Sequence, residues 1–269
     1  MLFRNCPVCG ADSISSIKLG VLTPTNEYNR FHSDFVLLRC IRCDLVYLTP
    51  LPKKEVFDNL YINNKQFYNC QDYIGERAKI AIAFYKSRLD SMLNEINANL
   101  SANKLKILEI GAGVAWISRA MKEINKNCLT IAQDITNECE HTCDWVNKYV
   151  VGEIDEKINV LKQDAPYNII SLTHVIEHLP NPIQTLKLLI PLLDDKGVIF
   201  MTAPHRPKNW DIDTTIENWR NWSYNHVPAH LQYFNHKSLS KLSALLNLKI
   251  AYYDDSSEEG QSLEVWLRK

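Results

Sequence analysis

The sequence predicts an α/β fold whose main sheet is mostly parallel. From Lys104 onward, short apolar segments typical of strands alternate with longer segments typical of helices. This alternation is typical of βαβ units with right-handed crossovers, which build parallel sheets. A glycine-rich turn at Gly111 and Gly113 directly follows the first of these strands, where α/β proteins commonly bind a ligand. Two cysteine pairs before residue 50 predict a small additional module.

The elements can be assigned in chain order. The predicted strands are Lys106–Ile110, Cys128–Ala132, Lys148–Val151, Tyr167–Leu172, Val198–Thr202, Leu248–Tyr253 and Leu263–Leu267. The predicted helices cover 76–99, Trp116–Ile124, Asn137–Val146, Pro182–Leu193 and Ser238–Leu246. We expect residues 1–50 to form a zinc-binding module, 51–103 a linker and helical region, and 104–269 the main α/β domain.

Composition narrows the classes of function. With 30 Lys+Arg against 31 Asp+Glu, the formal net charge is −1, so nucleic acid is an unlikely main partner. No apolar run reaches membrane-spanning length, and the first residues lack the apolar core of a signal peptide. A cytoplasmic location is therefore expected. In that reducing compartment, the 8 cysteines are better explained by metal binding or free thiols than by disulfides.

The glycine turn indicates a nucleotide-type cofactor. Glycines at a strand-to-helix turn permit a tight backbone and close approach of a ligand. Asp134 ends the next strand about 20 residues later, where a carboxylate can accept hydrogen bonds from ribose hydroxyls. The spacing Gly111-x-Gly113-x-Ala115 lacks the third glycine of a dinucleotide fingerprint. On this motif alone, a plain tight turn is an equally good interpretation.

The cysteine pairs indicate a metal-binding site. Cys6 and Cys9 form one C-x2-C pair, and Cys40 and Cys43 form a second. Four thiolates suit zinc in a closed tetrahedral structural site. Iron could take the same ligands. A redox C-x-x-C is the less favoured alternative, because redox chemistry needs no second pair.

Taken together, the motifs resemble class I S-adenosylmethionine-dependent methyltransferases with a UbiE/UbiG-like core. The resemblance rests on the segments 108–113, 134, 167–182, 202–204 and 230–239. Within it, the string from His174 to Pro182 is the most specific part. The N-terminal cysteines extend the resemblance to small-molecule and sugar C-methyltransferases that carry such a module. Those sugar enzymes have a further C-terminal domain, so the resemblance does not transfer a substrate.

The resemblance implies a Rossmann-like sheet of seven strands with the last strand antiparallel, and it assigns roles to residues. The cofactor would be S-adenosylmethionine. Glu109, Gly111 and Gly113 would surround its methionine part, and Asp134 would hold its ribose. Glu153 and Ile154 would contact its adenine. Thr173 and His174 would lie beside its sulfonium.

Methyl transfer to a hydroxyl or a carbon acid also requires removal of a proton. His174, Glu177 and His178 are the candidate catalytic residues, because they follow the fourth strand of the main domain at its expected active end. His226 and His230 are further candidates. Each has a structural alternative: His178 could simply fix the loop, and Glu177 could hold backbone amides at the helix start.

We therefore expect a methyltransferase for a small-molecule acceptor, such as a sugar nucleotide or another biosynthetic intermediate. A homodimer is compatible with the sequence. An RNA methyltransferase is one alternative, since a zinc module can contact nucleic acid, but the near-neutral charge argues against it. A non-catalytic binding protein with the same fold is a second alternative. The presence of Gly111, Gly113 and Asp134 disfavours it.

Overall fold

The computed structural model describes residues 3–24, 34–63, 75–96, 105–204, 215–256 and 262–269. The strands are β1 Ile17–Leu22, β2 Phe35–Arg39, β3 Val46–Thr49, β4 Lys106–Ile110, β5 Leu129–Asp134, β6 Lys148–Val151, β7 Tyr167–Thr173, β8 Leu193–Ala203, β9 Gln232–Tyr233, β10 Lys249–Asp254 and β11 Leu263–Arg268. The α-helices are α1 Lys54–Phe57, α2 Glu76–Glu95, α3 Trp116–Ile124, α4 Ile154–Leu161, α5 Pro182–Leu189, α6 Ile216–Asn221 and α7 His236–Leu245.

The larger sheet has seven strands in the order β10-β11-β8-β7-β4-β5-β6. β4 pairs in parallel with β5 on one side and β7 on the other, and β5 pairs in parallel with β6. The sheet is mostly parallel with an antiparallel strand towards one end, which confirms the predicted fold class. The central strands are apolar because both of their faces are covered: four of the five residues of β4 are buried.

A second sheet has four strands in the order β1-β2-β3-β9. Its strands pair antiparallel, with a register irregularity between Lys18 and Gly20 of β1. One face packs on a cluster of buried side chains from the sheet and from the region of α6. That cluster consists of Leu22, Phe35, Leu37, Val46, Leu48, Trp219, Val227 and Tyr233. The sheet therefore joins residues of the N-terminal region to β9, almost 200 positions later in the chain.

By backbone contacts the chain divides into two compact units. The first comprises Met1–Asp58, His174–Leu186 and Met201–Trp266. The second comprises Asn59–Thr173, Lys187–Phe200 and Leu267–Lys269. None of the described helices is both long enough and apolar enough to cross a membrane.

Several predicted elements keep their bounds, whereas others do not. β4, β6 and α3 begin and end at the predicted residues. The predicted helix over Asn137–Val146 is wrong, because only Glu140–Thr142 forms a single 3₁₀ turn there. Its apolar side chains instead pack around Val114, Ala115 and Ala132, so the segment follows that surface rather than a helical path. The fifth strand of the main domain also begins earlier than predicted, at Leu193, so that Lys196 and Gly197 lie within β8.

Two helices were not predicted. α4 starts at Ile154, the second residue of the pair assigned to adenine, and is only eight residues long. α6 is shorter still, at six residues. Helices this short carry too few apolar repeats for periodicity to reveal them. They also depend on tertiary packing for stability, which the local sequence does not show.

Candidate functional site: a glycine turn, a histidine cluster and a four-cysteine centre

The glycine turn has a left-handed backbone at three positions. Gly111, Gly113 and Ala115 have φ angles of 59°, 48° and 51°. For an L-residue this conformation costs roughly 1–2 kcal/mol, which glycine avoids. Ala115, where the resembled family usually has a third glycine, nevertheless adopts it. A Cβ added at Gly113 would meet no atom of the described residues within 4 Å, so these residues leave the space beside this turn open.

Asp134 holds this turn in place. One carboxylate oxygen, Oδ2, accepts a hydrogen bond of 2.8 Å from the backbone N–H of Gly113, and Oδ1 accepts one of 3.2 Å from Thr136. The residue is almost fully buried, at 3% exposure. The carboxylate lies at the carboxyl end of β5, directly beside the glycine turn. The geometry therefore fits the predicted ribose contact.

Glu109, also predicted to lie at the cofactor, caps helix α3. Its carboxylate accepts hydrogen bonds from the backbone N–H groups of Ile117 and Ser118 at 3.2 and 2.8 Å, and from the Ser118 hydroxyl at 2.7 Å. Burial raises the pKa of Glu109 to about 7, although these hydrogen bonds oppose the shift. The contact fixes the start of α3 relative to the glycine turn.

The remaining predicted cofactor residues in the second unit lie at the same edge of the sheet. Gly152, one residue beyond β6, donates its N–H to the Asp134 carbonyl at 2.9 Å. Glu153 follows as the residue preceding α4, and Ile154 begins that helix. On the other side, Leu172 of β7 pairs with Ile110 of β4, which places Thr173 beside the glycine turn. The structure thus brings Glu109, Gly111, Gly113, Asp134, Glu153, Ile154 and Thr173 to the carboxyl ends of four parallel strands.

Sequence reasoning missed two side chains that support the turn. The Tyr149 hydroxyl donates to the Gly113 carbonyl at 2.9 Å, and the Trp145 indole N–H donates to the Ala115 carbonyl at 2.9 Å. Both lie in or next to the segment that was predicted as a helix. The available signal was a pair of aromatic residues close together in the sequence, Trp145 just before β6 and Tyr149 within it.

His174 directly follows Thr173 and has an unusual backbone. Its φ angle is 53°, uncommon for a residue other than glycine, and its N–H donates to the Thr202 carbonyl at 2.9 Å. Strained residues of this kind cluster at functional sites. Its Nδ1 lies 3.4 Å from the Glu177 carboxylate, while 45% of its side chain stays exposed. Burial acts to lower the pKa of His174, but the adjacent carboxylate outweighs it and the pKa is raised.

Glu177 is fully buried among three imidazoles. Its Oε1 lies 3.4 Å from Nδ1 of His174 and 3.8 Å from Nε2 of His178. Neither carboxylate oxygen of Glu177 accepts a hydrogen bond of acceptable geometry from the described part of the chain. Burial acts to raise the pKa of this carboxyl, but the imidazoles outweigh it, so the pKa is lowered and the group is charged.

His230 completes this cluster, although sequence reasoning gave it only a secondary place. Its ring lies 4.8 Å from the ring of His178 and 4.9 Å from that of His226, centroid to centroid. Burial lowers the pKa of His230 to about 3, so its imidazole is neutral at neutral pH. The backbone explains the proximity: the N–H of Leu231 donates to the Glu177 carbonyl at 2.8 Å.

The four predicted metal-binding cysteines come together. The Sγ atoms of Cys6 and Cys43 are 3.5 Å apart, and those of Cys9 and Cys40 are 3.4 Å apart. All four Sγ atoms lie within 4.8 Å of one another. Tetrahedral zinc with Zn–S bonds of about 2.3 Å holds its sulfurs about 3.8 Å apart. The two shortest separations therefore differ from this spacing by a few tenths of an ångström, and the widest has to close by at most about 1 Å.

The two cysteine turns have the same local structure. In each, the N–H four residues after the first cysteine donates to that cysteine's carbonyl at 2.9 Å, from Gly10 to Cys6 and from Asp44 to Cys40. Gly10 and Asp44 both have left-handed backbones, with φ angles of 68° and 65°. Aspartate tolerates this conformation better than most side chains. The two turns therefore present their cysteines in the same way.

Arg4 connects this centre to the segment that carries Glu177. Its guanidinium donates to the carbonyls of Leu48 and Leu231 at 2.8 Å each, and to Gln232 Oε1 at 3.2 Å. The Gln232 amide in turn donates to the carbonyls of Ile176 and Leu179 at 2.7 and 2.8 Å. Burial lowers the pKa of Arg4 to about 10, which leaves it charged at neutral pH. One half-buried cation thus ties the cysteine turns to the turn around Glu177.

Comparison with known proteins agrees with this geometry. A family model described as a methyltransferase domain matches residues 80–252, well over half of the chain. The chain belongs to this methyltransferase family. The resemblance inferred from its motifs is thereby confirmed. No curated protein sequence matches this methyltransferase.

Solved structures share the fold at low sequence identity. The plantazolicin methyltransferase BpumL, in complex with S-adenosylhomocysteine (SAH), is 16% identical over 79% of this chain and 92% of its own, with a TM-score of 0.56. The structure of LepI with S-adenosylmethionine (SAM) is 13% identical over 67% of this chain and 46% of its own, with a TM-score of 0.52. A structure described as a pericyclic reaction enzyme is 12% identical over 66% of this chain and 46% of its own, with a TM-score of 0.51. This methyltransferase thus spans less than half the length of the last two proteins.

The cysteine centre can be tested by removing one ligand. Cys43→Ser is expected to abolish retention of a zinc ion and to lower the melting temperature, because ligand loss removes binding energy that contributes to folding. Cys128→Ser is the control, since Cys128 lies outside the four-cysteine cluster and should leave the zinc content unchanged. Elemental analysis and circular dichroism melts measure both effects. Equal zinc content in the two variants would contradict the assignment.

The Arg4 connection makes a separate prediction. Arg4→Lys is expected to lower the free energy of unfolding by about 2–4 kcal/mol, because an ammonium cannot reproduce a planar set of hydrogen bonds to several carbonyls. Arg42→Lys, an exposed substitution between Cys40 and Cys43, is expected to change it by less than about 0.5 kcal/mol. Urea unfolding of zinc-loaded protein measures the difference. Equal stability of the two variants would show that the Arg4 network contributes little.

Proposed function

We propose that this chain transfers a methyl group from S-adenosylmethionine to a small-molecule acceptor. The observation that carries the proposal is the glycine turn held by Asp134, with open space beside Gly113. Family membership and the strand order support the same cofactor. When bound, S-adenosylmethionine supplies a methyl carbon already activated by the positive sulfonium. The chain's own residues then have to bind the cofactor and the acceptor, orient them, and remove a proton from the acceptor.

Binding of the cofactor is assigned to the edge of the sheet in the second unit. In the proposal, Asp134 accepts hydrogen bonds from the ribose hydroxyls, and the backbone at Gly111 and Gly113 approaches the methionine part closely. Glu153 and Ile154 contact the adenine. Glu109 acts by fixing the glycine turn and the start of α3, and Thr173 borders the sulfonium.

His174 is the proposed general base. The charge of a carboxylate close to Nδ1 of an imidazole favours the proton on that nitrogen and leaves Nε2 with its lone pair, which is the form that removes a proton from an acceptor. Glu177 lies 3.4 Å from Nδ1 and is assigned this positioning role. His178 holds the turn through the contact between its Nδ1 and the Ala229 carbonyl at 2.9 Å. The exposed part of His174 is where an acceptor hydroxyl, amine or acidic C–H would be bound.

The remaining parts of the proposal concern organisation. Residues 1–50 are proposed as a structural zinc-binding module, 51–103 as a linker and helical region, and 104–269 as the methyltransferase domain. A cytoplasmic location suits four thiols that are reserved for a metal, since that compartment keeps thiols reduced.

The cofactor assignment is tested by calorimetric titration of purified, zinc-loaded protein with S-adenosylmethionine. Asp134→Ala is expected to weaken binding about tenfold or more, because a charge-assisted hydrogen bond is worth about 1.5–3 kcal/mol. The matched control is Asp90→Ala, an exposed position on α2, which should bind like the parent protein. If well-folded parent protein failed to bind the cofactor, the methyltransferase proposal would be abandoned for a non-catalytic role. Equal affinity of both variants would remove only the ribose role of Asp134.

The base assignment is tested in a screen of small-molecule acceptors that measures release of S-adenosylhomocysteine. His174→Gln is expected to lower kcat by about 10²-fold or more, in line with the usual contribution of general-base catalysis. The loss in cofactor affinity should be smaller than the loss in kcat. His141→Gln, at an exposed histidine in the second unit, serves as the control. Full turnover of His174→Gln on an accepted substrate would exclude it as the base.

A further inference from the structure

The cluster around Glu177 has features that a proton-transfer role leaves unexplained. Glu177 and His178 lie on the 3₁₀ turn Ile176–His178, and His230 lies just before β9. One carboxylate oxygen and one ring nitrogen from each histidine lie within 4.8 Å of one another. The side chain of Glu177 has 0% exposure, and its carboxylate oxygens accept no well-aligned hydrogen bond from the described residues.

Both histidines are oriented by backbone carbonyls. Nδ1 of His178 lies 2.9 Å from the Ala229 carbonyl, and Nδ1 of His230 lies 2.9 Å from the Tyr224 carbonyl. A carbonyl oxygen can only accept, so each Nδ1 must carry the proton when the ring is neutral. Nε2 then has the lone pair. An imidazole whose Nδ1–H is held by a carbonyl is the usual arrangement of a metal-binding histidine.

The buried carboxylate gives the physical reason for a ligand. A charged carboxylate removed from water is costly unless it is paired and hydrogen-bonded. Here the nearest imidazole nitrogen is 3.4 Å away on His174, a half-exposed side chain. A cation bound between Glu177 and the two imidazoles would supply the missing interaction directly. We propose that Glu177, His178 and His230 bind a divalent transition-metal cation.

The identity of the donors restricts the ion. Two imidazole nitrogens and one carboxylate oxygen suit Zn²⁺, Co²⁺, Fe²⁺ or Mn²⁺ better than Ca²⁺ or Mg²⁺, which favour oxygen ligands. Tetrahedral metal–ligand bonds of about 2.0–2.2 Å place the donor atoms about 3.3–3.6 Å from one another. The widest separation, up to 4.8 Å, therefore has to close by at most about 1.5 Å.

Three protein ligands leave coordination positions for water or for an oxygen atom of a bound molecule. The ligand class that this site would take is thus an oxygen donor such as a hydroxyl or carboxylate. The metal proposal does not rest on the proposed methyl transfer, and it concerns a centre separate from the four cysteines.

The test uses the full chain with zinc already bound at the cysteines and Co²⁺ as the probe. We expect one further Co²⁺ to bind, with visible d–d absorption and without the thiolate-to-cobalt bands of a cysteine site, while the zinc is retained. Glu177→Gln and His230→Gln are each expected to weaken Co²⁺ binding about 10- to 100-fold. His141→Gln, an exposed histidine outside the cluster, should bind like the parent protein.

Three results would overturn the proposal: no Co²⁺ binding by folded zinc-loaded protein, Co²⁺ bound with thiolate bands and release of zinc, or unchanged affinity in both cluster variants. Circular dichroism checks that each variant is folded. If Glu177→Gln does not fold, the spectrum of the parent protein and the affinity of His230→Gln decide the question. Because no S-adenosylmethionine is present, these outcomes are independent of whether methyl transfer occurs.

Discussion

The half-buried guanidinium of Arg4 is the interaction on which the first unit depends. It lies two residues before Cys6 and donates to the carbonyls of Leu48 and Leu231, on β3 and just before β9. The Leu48 N–H already donates to the Leu231 carbonyl at 2.9 Å, but two carbonyls cannot bond to each other, so a donor that reaches both adds a second link between these segments. Arginine provides one with fixed geometry. The cysteine turns, the small sheet and the turn around Glu177 are therefore held in one arrangement, and a metal ion at the cysteines would fix the position of Arg4.

In the second unit the corresponding constraint is the left-handed backbone of the glycine turn. Two of its three left-handed residues are glycines, so the conformational cost falls on Ala115. Here Asp134 binds the N–H of Gly113, and Tyr149 binds its carbonyl. Trp145 binds the carbonyl of Ala115, whose methyl group is buried in an apolar cluster. This explains how alanine replaces the expected glycine: packing of its Cβ offsets part of the conformational cost.

The sequence predicted the repetitive parts of the fold well because local patterns encode them. β4 and α3 border the glycine turn, and their bounds follow from a continuous apolar run and from helical periodicity. The segment 137–146 has a similar apolar spacing, yet its side chains pack on the glycine turn and tertiary contacts prevail over periodicity. The four cysteines were predictable, since paired C-x2-C spacing reports directly on a shared ligand. The role of His230 was not, because its place beside Glu177 depends on a hydrogen bond between residues 54 positions apart.

Glu177 shows how far a motif can be interpreted before its environment is known. In the sequence it could hold backbone amides at the start of a helix, but neither of its oxygens accepts a bond from such an amide within the described residues. Its environment consists of imidazoles instead, and these keep the carboxylate charged despite full burial. His178 does have the loop-fixing contact that was its structural alternative, through Nδ1, and this same contact determines which ring nitrogen faces Glu177. A loop-fixing role and a ligand-binding role are therefore compatible for His178, because a backbone carbonyl that fixes Nδ1 also leaves Nε2 as the donor atom.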